Sequence, residues 1–113
     1  MLTNTSSPDG NIFESLNLNF EKEIFEDIKD AKNVKIGRII SSGQATPLGE
    51  WYDQIQDEWA ILVKGEADLL FEGEEAPLKL KAGDYVFIPA HKKHRVERTK
   101  AGEASIWIAV HIY

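Results

Sequence analysis

The chain has 113 residues, no cysteine and a formal net charge of −6. That length fits one domain able to bury a core without cross-links, and 42% hydrophobic with 28% charged residues is ordinary for a folded chain. The acidic balance argues against docking on nucleic acid or on an anionic membrane, and the missing thiols exclude disulfides and thiolate metal sites.

The opening MLTNTSSPDG lacks the basic and apolar regions of a secretion signal. No apolar run approaches the ~20 residues that span a bilayer. A cytoplasmic protein is expected. Residues 1–11, rich in Ser, Thr, Asn, Pro and Gly, read as a flexible tail, and residues 12–113 as a single domain. From Ile12 to Asp30 the pattern fits either a short helix, with Ile24 and Ile28 four apart, or an edge strand, with EIFEDI alternating. Val34, Ile36 and Ile40 alternate with polar or small neighbours and predict a strand. Arg38 interrupts its apolar face and needs a partner or water for its head. Ser41 to Gly49 is a loop by composition.

Beyond that loop the chain reads as strands and tight turns. Gln54 to Lys64 is expected as one strand ended by Gly65. Ala67, Leu69 and Phe71 alternate with charged neighbours, and Gly73-Glu74-Glu75 turns. Leu78 to Lys81, Tyr85 to Pro89, His94 to Arg98 and Ile106 to Tyr113 complete the set. Short strands at this spacing indicate a small all-β barrel or sandwich, which composition does not separate.

The stretch from Trp51 to His94 carries the chemistry. Tyr52, Gln54, Gln56 and Glu58 fall at alternate positions, so on a strand all four share one face. The opposite face then carries Ile55, Trp59, Ile61 and Val63, which a solvated face would not hold. The final strand is apolar on both faces, Ile106, Ile108, Val110 and Ile112 on one and Trp107, Ala109, His111 and Tyr113 on the other. A second copy of the chain is the expected cover, giving a homodimer, although residues 12–30 can absorb part of this surface.

Two motifs in this stretch resemble those of the cupin family. In the first, Glu58 is followed by six residues and Gly65, and three residues separate it from Gln54. Tyr52 and Gln54 stand where the family's two histidines would. In the second, Gly83, Pro89 and His94 match, and His91 replaces a glycine. The matched stretch runs from Gly49 to Arg98. The resemblance implies a single-domain double-stranded β-helix, or jelly-roll barrel, with an open mouth and a strand within residues 12–30. It also implies a divalent metal held by the residues at the ligand positions.

The expected ligand set is Gln54, Glu58 and His94, with Zn, Fe, Mn or Ni all compatible with mixed nitrogen and oxygen donors. Tyr52 is a poor ligand, because a phenol with an ordinary pKa of about 10 must lose its proton to ligate. It is assigned to the substrate pocket together with His91, which fills space the family leaves to glycine. The alternative is a buried polar network without metal, in which Glu58 and His94 pair and Gln54 and Tyr52 satisfy the rest. His111 reads as a core or interface hydrogen-bonder. Lys92, Lys93, Arg95 and Arg98 read as a solvated loop, or as a clamp for a carboxylate or phosphate at the mouth.

Two functions follow. One is a metal-dependent enzyme, a dioxygenase or isomerase acting on an anionic or carbonyl-bearing small molecule. The other is a non-catalytic small-molecule binder or regulatory domain with a polar, metal-free pocket.

Overall fold

The computed structural model describes residues 6–16 and 21–113. They form eight strands and no helix, so no helix is long and apolar enough to cross a membrane. In chain order these are β1 (Ile24–Asp30), β2 (Val34–Ser41), β3 (Asp57–Lys64), β4 (Glu66–Phe71), β5 (Leu78–Lys81), β6 (Tyr85–Ile88), β7 (His94–Thr99) and β8 (Ser105–Ile112). One sheet has the order β1-β2-β8-β3-β6 and faces a second with the order β5-β4-β7. Every pairing is antiparallel. The all-β expectation holds.

The alternation in the sequence sets which side chains meet. Ala60, Leu62, Ile88, Trp107 and Ala109 from the first sheet pack on Ala67, Leu69, Phe71 and Leu80 from the second. This is the main core, and one end of the space between the sheets stays open. Gly65 makes the β3–β4 turn possible. Its φ of +91° lies in the left-handed region, and a Cβ there would meet Ser105.

One expectation needs correction. The central strand begins at Asp57, not Gln54. A bend at Ile55 and Gln56 precedes it, and Tyr52 instead makes a single bridge to His94, through hydrogen bonds of 2.8 and 3.1 Å. The stretch after Tyr52 bends because its backbone serves the neighbouring loop, with the Gln54 carbonyl accepting from the His91 N–H at 2.7 Å. The open choice between residues 12 and 30 resolves as the edge strand β1, paired to β2, while residues 1–5 and 17–20 lie outside the described residues.

The other face of the larger sheet has an unequal cover. Leu16 packs beside Ile40, Ala104 and Ile106 at one end. There the buried Arg38 head donates to the Ile12 and Glu14 carbonyls and pairs with Glu26 at 2.6 Å, which supplies the partner its position requires. Trp59 lies against Tyr85, with ring centroids 5.6 Å apart. Farther along the same face, Tyr85 and Phe87 are 67% and 53% exposed, so this apolar surface continues to solvent.

Candidate functional site in the barrel mouth

A cavity of about 320 Å3 opens between the sheets. Tyr52, Gln54, Gln56, Glu58 and Ala60 all line it, so the one-face reading survives although only the last two belong to β3. Trp107, Ala109 and His111 of β8 and His94 and Val96 of β7 line it too.

Glu58 is the centre of the polar part. It is only 8% exposed. Gln54 donates from Nε2 to Glu58 Oε1 at 2.8 Å. His111 Nε2 lies 3.2 Å from the same oxygen and 3.3 Å from Gln54 Oε1. Both neighbours are acceptors, so His111 carries its proton on Nε2 and donates. Burial pushes the Glu58 carboxyl up, but the hydrogen bonds from His111 and Gln54, with the electrostatic influence of His111 and His94, outweigh it. The net effect holds Glu58 below the ordinary glutamate value.

His94 sits beside this network without joining it. Its Nδ1 donates to the Lys92 carbonyl at 2.9 Å, which leaves Nε2 free to accept. Tyr52 stacks on the His94 ring at 5.6 Å, an arrangement dictated by their backbone bridge. Burial, followed by the negative charges of Glu23, Glu50 and Glu58, pushes the Tyr52 phenol above its ordinary value. At neutral pH it is a proton-bearing hydroxyl. Glu23, just before β1, also lines the cavity, and its burial raises its carboxyl, with Ser41 nearby offsetting part of that.

The structure thus brings Tyr52, Gln54, Glu58 and His94 to one cavity and leaves His91 outside its lining. His91 has φ +64°, the backbone conformation its glycine-type position asks for. Its ring is turned to Asp53 at 2.9 Å and is 66% exposed. The basic cluster is also placed elsewhere. Arg95 is buried against the Thr46, Pro47 and Glu50 carbonyls, Arg98 pairs with Asp68 and Glu66, Lys93 with Glu72, and Lys92 lies over the Phe71 ring. Arg95 thereby ties down the loop that carries Tyr52.

His111 and Glu23 are the participants that sequence reasoning did not place here. His111 stands opposite Glu58 in the β3–β8 ladder. Alternation already puts it on one face with Trp107 and Ala109, but that face becomes the inner one only when β8 lies beside β3.

The donor set does not fit a divalent metal. The groups nearest Glu58 point N–H protons at it rather than lone pairs, and only His94 Nε2 offers a free nitrogen. Among the described residues no three His, Cys, Asp or Glu side chains are placed to hold an ion.

The architecture is a two-sheet antiparallel jelly-roll barrel with a carboxylate–imidazole pair in its open mouth. The chain belongs to the cupin family, whose domain profile matches residues 42–111. A crystal structure from Ralstonia eutropha JMP134, provisionally described as a mannose-6-phosphate isomerase, is 44% identical, with TM-score 0.89 over 94% of this chain and 98% of that one. A cupin superfamily protein from Desulfitobacterium hafniense DCB-2 is 17% identical, with TM-score 0.75 over 99% and 97%. An RmlC-like cupin with a double-stranded β-helix from Methanocaldococcus jannaschii is 20% identical, with TM-score 0.66 over 80% of each chain. The last two show the fold alone, and it is the double-stranded β-helix. No curated protein matches the chain.

Proposed function

We propose that this cupin binds a small carbonyl- and hydroxyl-bearing molecule in its barrel mouth, through a polar network that needs no metal. The observation that carries this is the closed set of hydrogen bonds among Gln54, Glu58 and His111 beside the open Nε2 of His94. The network fixes a carboxylate in an apolar cavity. His94 and the Tyr52 hydroxyl supply an acceptor and a donor at neighbouring positions. Trp107, Val96 and Leu69 supply apolar walls for a carbon skeleton. Titration with D-mannose and related aldoses, followed by the amide signals of Ala60, Ala109 and His111, tests the reading. Saturable shifts in wild type, weakened at least ~10-fold in His111→Ala, support it. Shifts of equal size in both proteins would sink it.

A second reading is isomerisation, favoured by likeness to the Ralstonia protein. Glu58 would take the proton from the carbon next to a carbonyl. The freed electron pair would move to the carbonyl oxygen, which would take a proton from Tyr52. Return of the proton from Glu58 to the former carbonyl carbon, while the adjacent hydroxyl gives its proton to the Tyr52 phenolate and becomes the new carbonyl, would complete an aldose–ketose exchange. The lowered pKa of Glu58 makes it a weak base, which is why binding ranks first. Enzyme-dependent exchange of the substrate C2 hydrogen for deuterium in D2O separates the two readings.

A metal held by Gln54, Glu58 and His94, as the family resemblance implies, requires Gln54 to turn its carbonyl off His111 and towards the ion. The homodimer remains part of the proposal. Its support is the continuous apolar outer face from Trp59 and Ile61 through the exposed Tyr85 and Phe87.

A further inference from the structure

We propose that Glu23 determines specificity by excluding anions, so that the cavity takes an uncharged sugar-like molecule and rejects its phosphate ester. This rests on the barrel mouth being the ligand site. The lining contains four carboxylates, Glu23, Glu26, Asp27 and Glu58, and two basic side chains, Lys35 and Arg38. Both cations are already paired, Lys35 on the inner face of β2 and Arg38 on the opposite face under the N-terminal segment. Lys35 Nζ lies 3.4 Å from Asp27, and Arg38 lies 2.6 Å from Glu26 while also donating to two backbone carbonyls. The Lys35 pair is exposed and weak, so Lys35 can swing towards a ligand. Doing so uncovers Asp27 beside it, and the wall gains no net positive charge.

Two carboxylates then remain without a cationic partner from Lys or Arg. Glu58 is bound to Gln54 and His111, and Glu23 lines the same cavity. Among the described residues no other Lys or Arg lines the cavity. Lys92, Lys93, Arg95 and Arg98 are committed away from the cavity, and residues 1–5 and 17–20 contain no Lys, Arg or His. A dianionic phosphate entering this space would face like charge in a low-dielectric wall, whereas hydroxyls and a carbonyl would find acceptors and donors. Glu23 is the carboxylate that can be altered without dismantling the Gln54–Glu58–His111 network.

The test compares D-mannose, D-mannose 6-phosphate and inorganic phosphate on wild type, Glu23→Gln and Glu23→Ala, read by cavity amide shifts. Wild type is expected to bind the phosphate ester at least ~10-fold more weakly than the neutral sugar. Both variants are expected to narrow that ratio several-fold or to acquire a response to inorganic phosphate. A wild type that binds the ester as well as the sugar overturns the inference. So do two folded variants that leave the ratio, or the absence of any anion response, unchanged. If mannose itself fails to bind but anions enter only when Glu23 is neutral, the exclusion is upheld and the sugar reading of the site falls.

Discussion

Glu58 and Glu23 face one cavity and couple to pH in opposite senses. The folded-state pKa of Glu58 lies below its ordinary value of 4.5. Its ionisation therefore stabilises the fold above that value, and this contribution is lost as pH falls through the folded-state pKa. Glu58→Gln should cost about 1–3 kcal/mol at pH 7, and urea unfolding curves of the two proteins should converge on acidification. Glu23 has the reverse sign. Its pKa is raised in the fold, so holding it ionised at pH 7 costs stability, and Glu23→Gln should be the more stable protein there. That advantage should shrink as pH falls through the raised folded-state pKa towards the ordinary 4.5 and be gone below it, and an advantage independent of pH would contradict it. Metal removal is a separate matter for the same side chains. Because protons rather than lone pairs point at Glu58, chelation should leave sugar binding and the melting temperature unchanged. One tightly held metal per chain in elemental analysis would show that Gln54 and His111 rearrange around an ion.

At the scale of elements, the β3–β4 turn is the least forgiving point. A Cβ on Gly65 would lie 2.2 Å from Ser105 Oγ at a backbone φ of +91°. Gly65→Ala should therefore cost at least ~2 kcal/mol, measured by denaturant midpoint, while Gly73→Ala, with open space around it, should cost less. Seven of the strands after residue 30 were legible because alternation and turn residues agree along them. What alternation cannot supply is which strands are neighbours. Gln54 was expected within the strand of Glu58, since polar residues at even spacing look the same in a strand and in a bent segment. The bend comes from bonds to the loop at His91, far away in sequence. His111 was legible as an inward or interface residue but not as the partner of Glu58, because that contact depends on β8 inserting between β2 and β3. His91 was expected to line the pocket through its place in the motif, and its left-handed backbone and Asp53 contact turn it outward instead.

At the scale of the whole molecule, the outer face is only partly covered. The described N-terminal segment covers only the end near Ile40 and Ile106. Trp59, Ile61, Tyr85 and Phe87 continue that face, and the proposed homodimer would cover them, since an isologous contact needs one patch only. Light scattering at tens of micromolar should give twice the chain mass, and Phe87→Glu should return it to the monomer with the cavity network intact. A wild-type monomer would mean this apolar surface stays exposed.

The place of β8 also has a kinetic consequence. It is the last of the eight strands to be synthesised, yet its partners on either side are β2 and β3. Until it emerges, two strand edges of the larger sheet stand unpaired, and such edges recruit other chains. Closing that sheet joins residues 34–41 to residues 105–112, a long loop to close before any contact rewards it. Folding should accordingly fall in the millisecond-to-second range of all-β chains with distant pairings, and slowed synthesis before β8 should favour aggregation over a stable partial barrel.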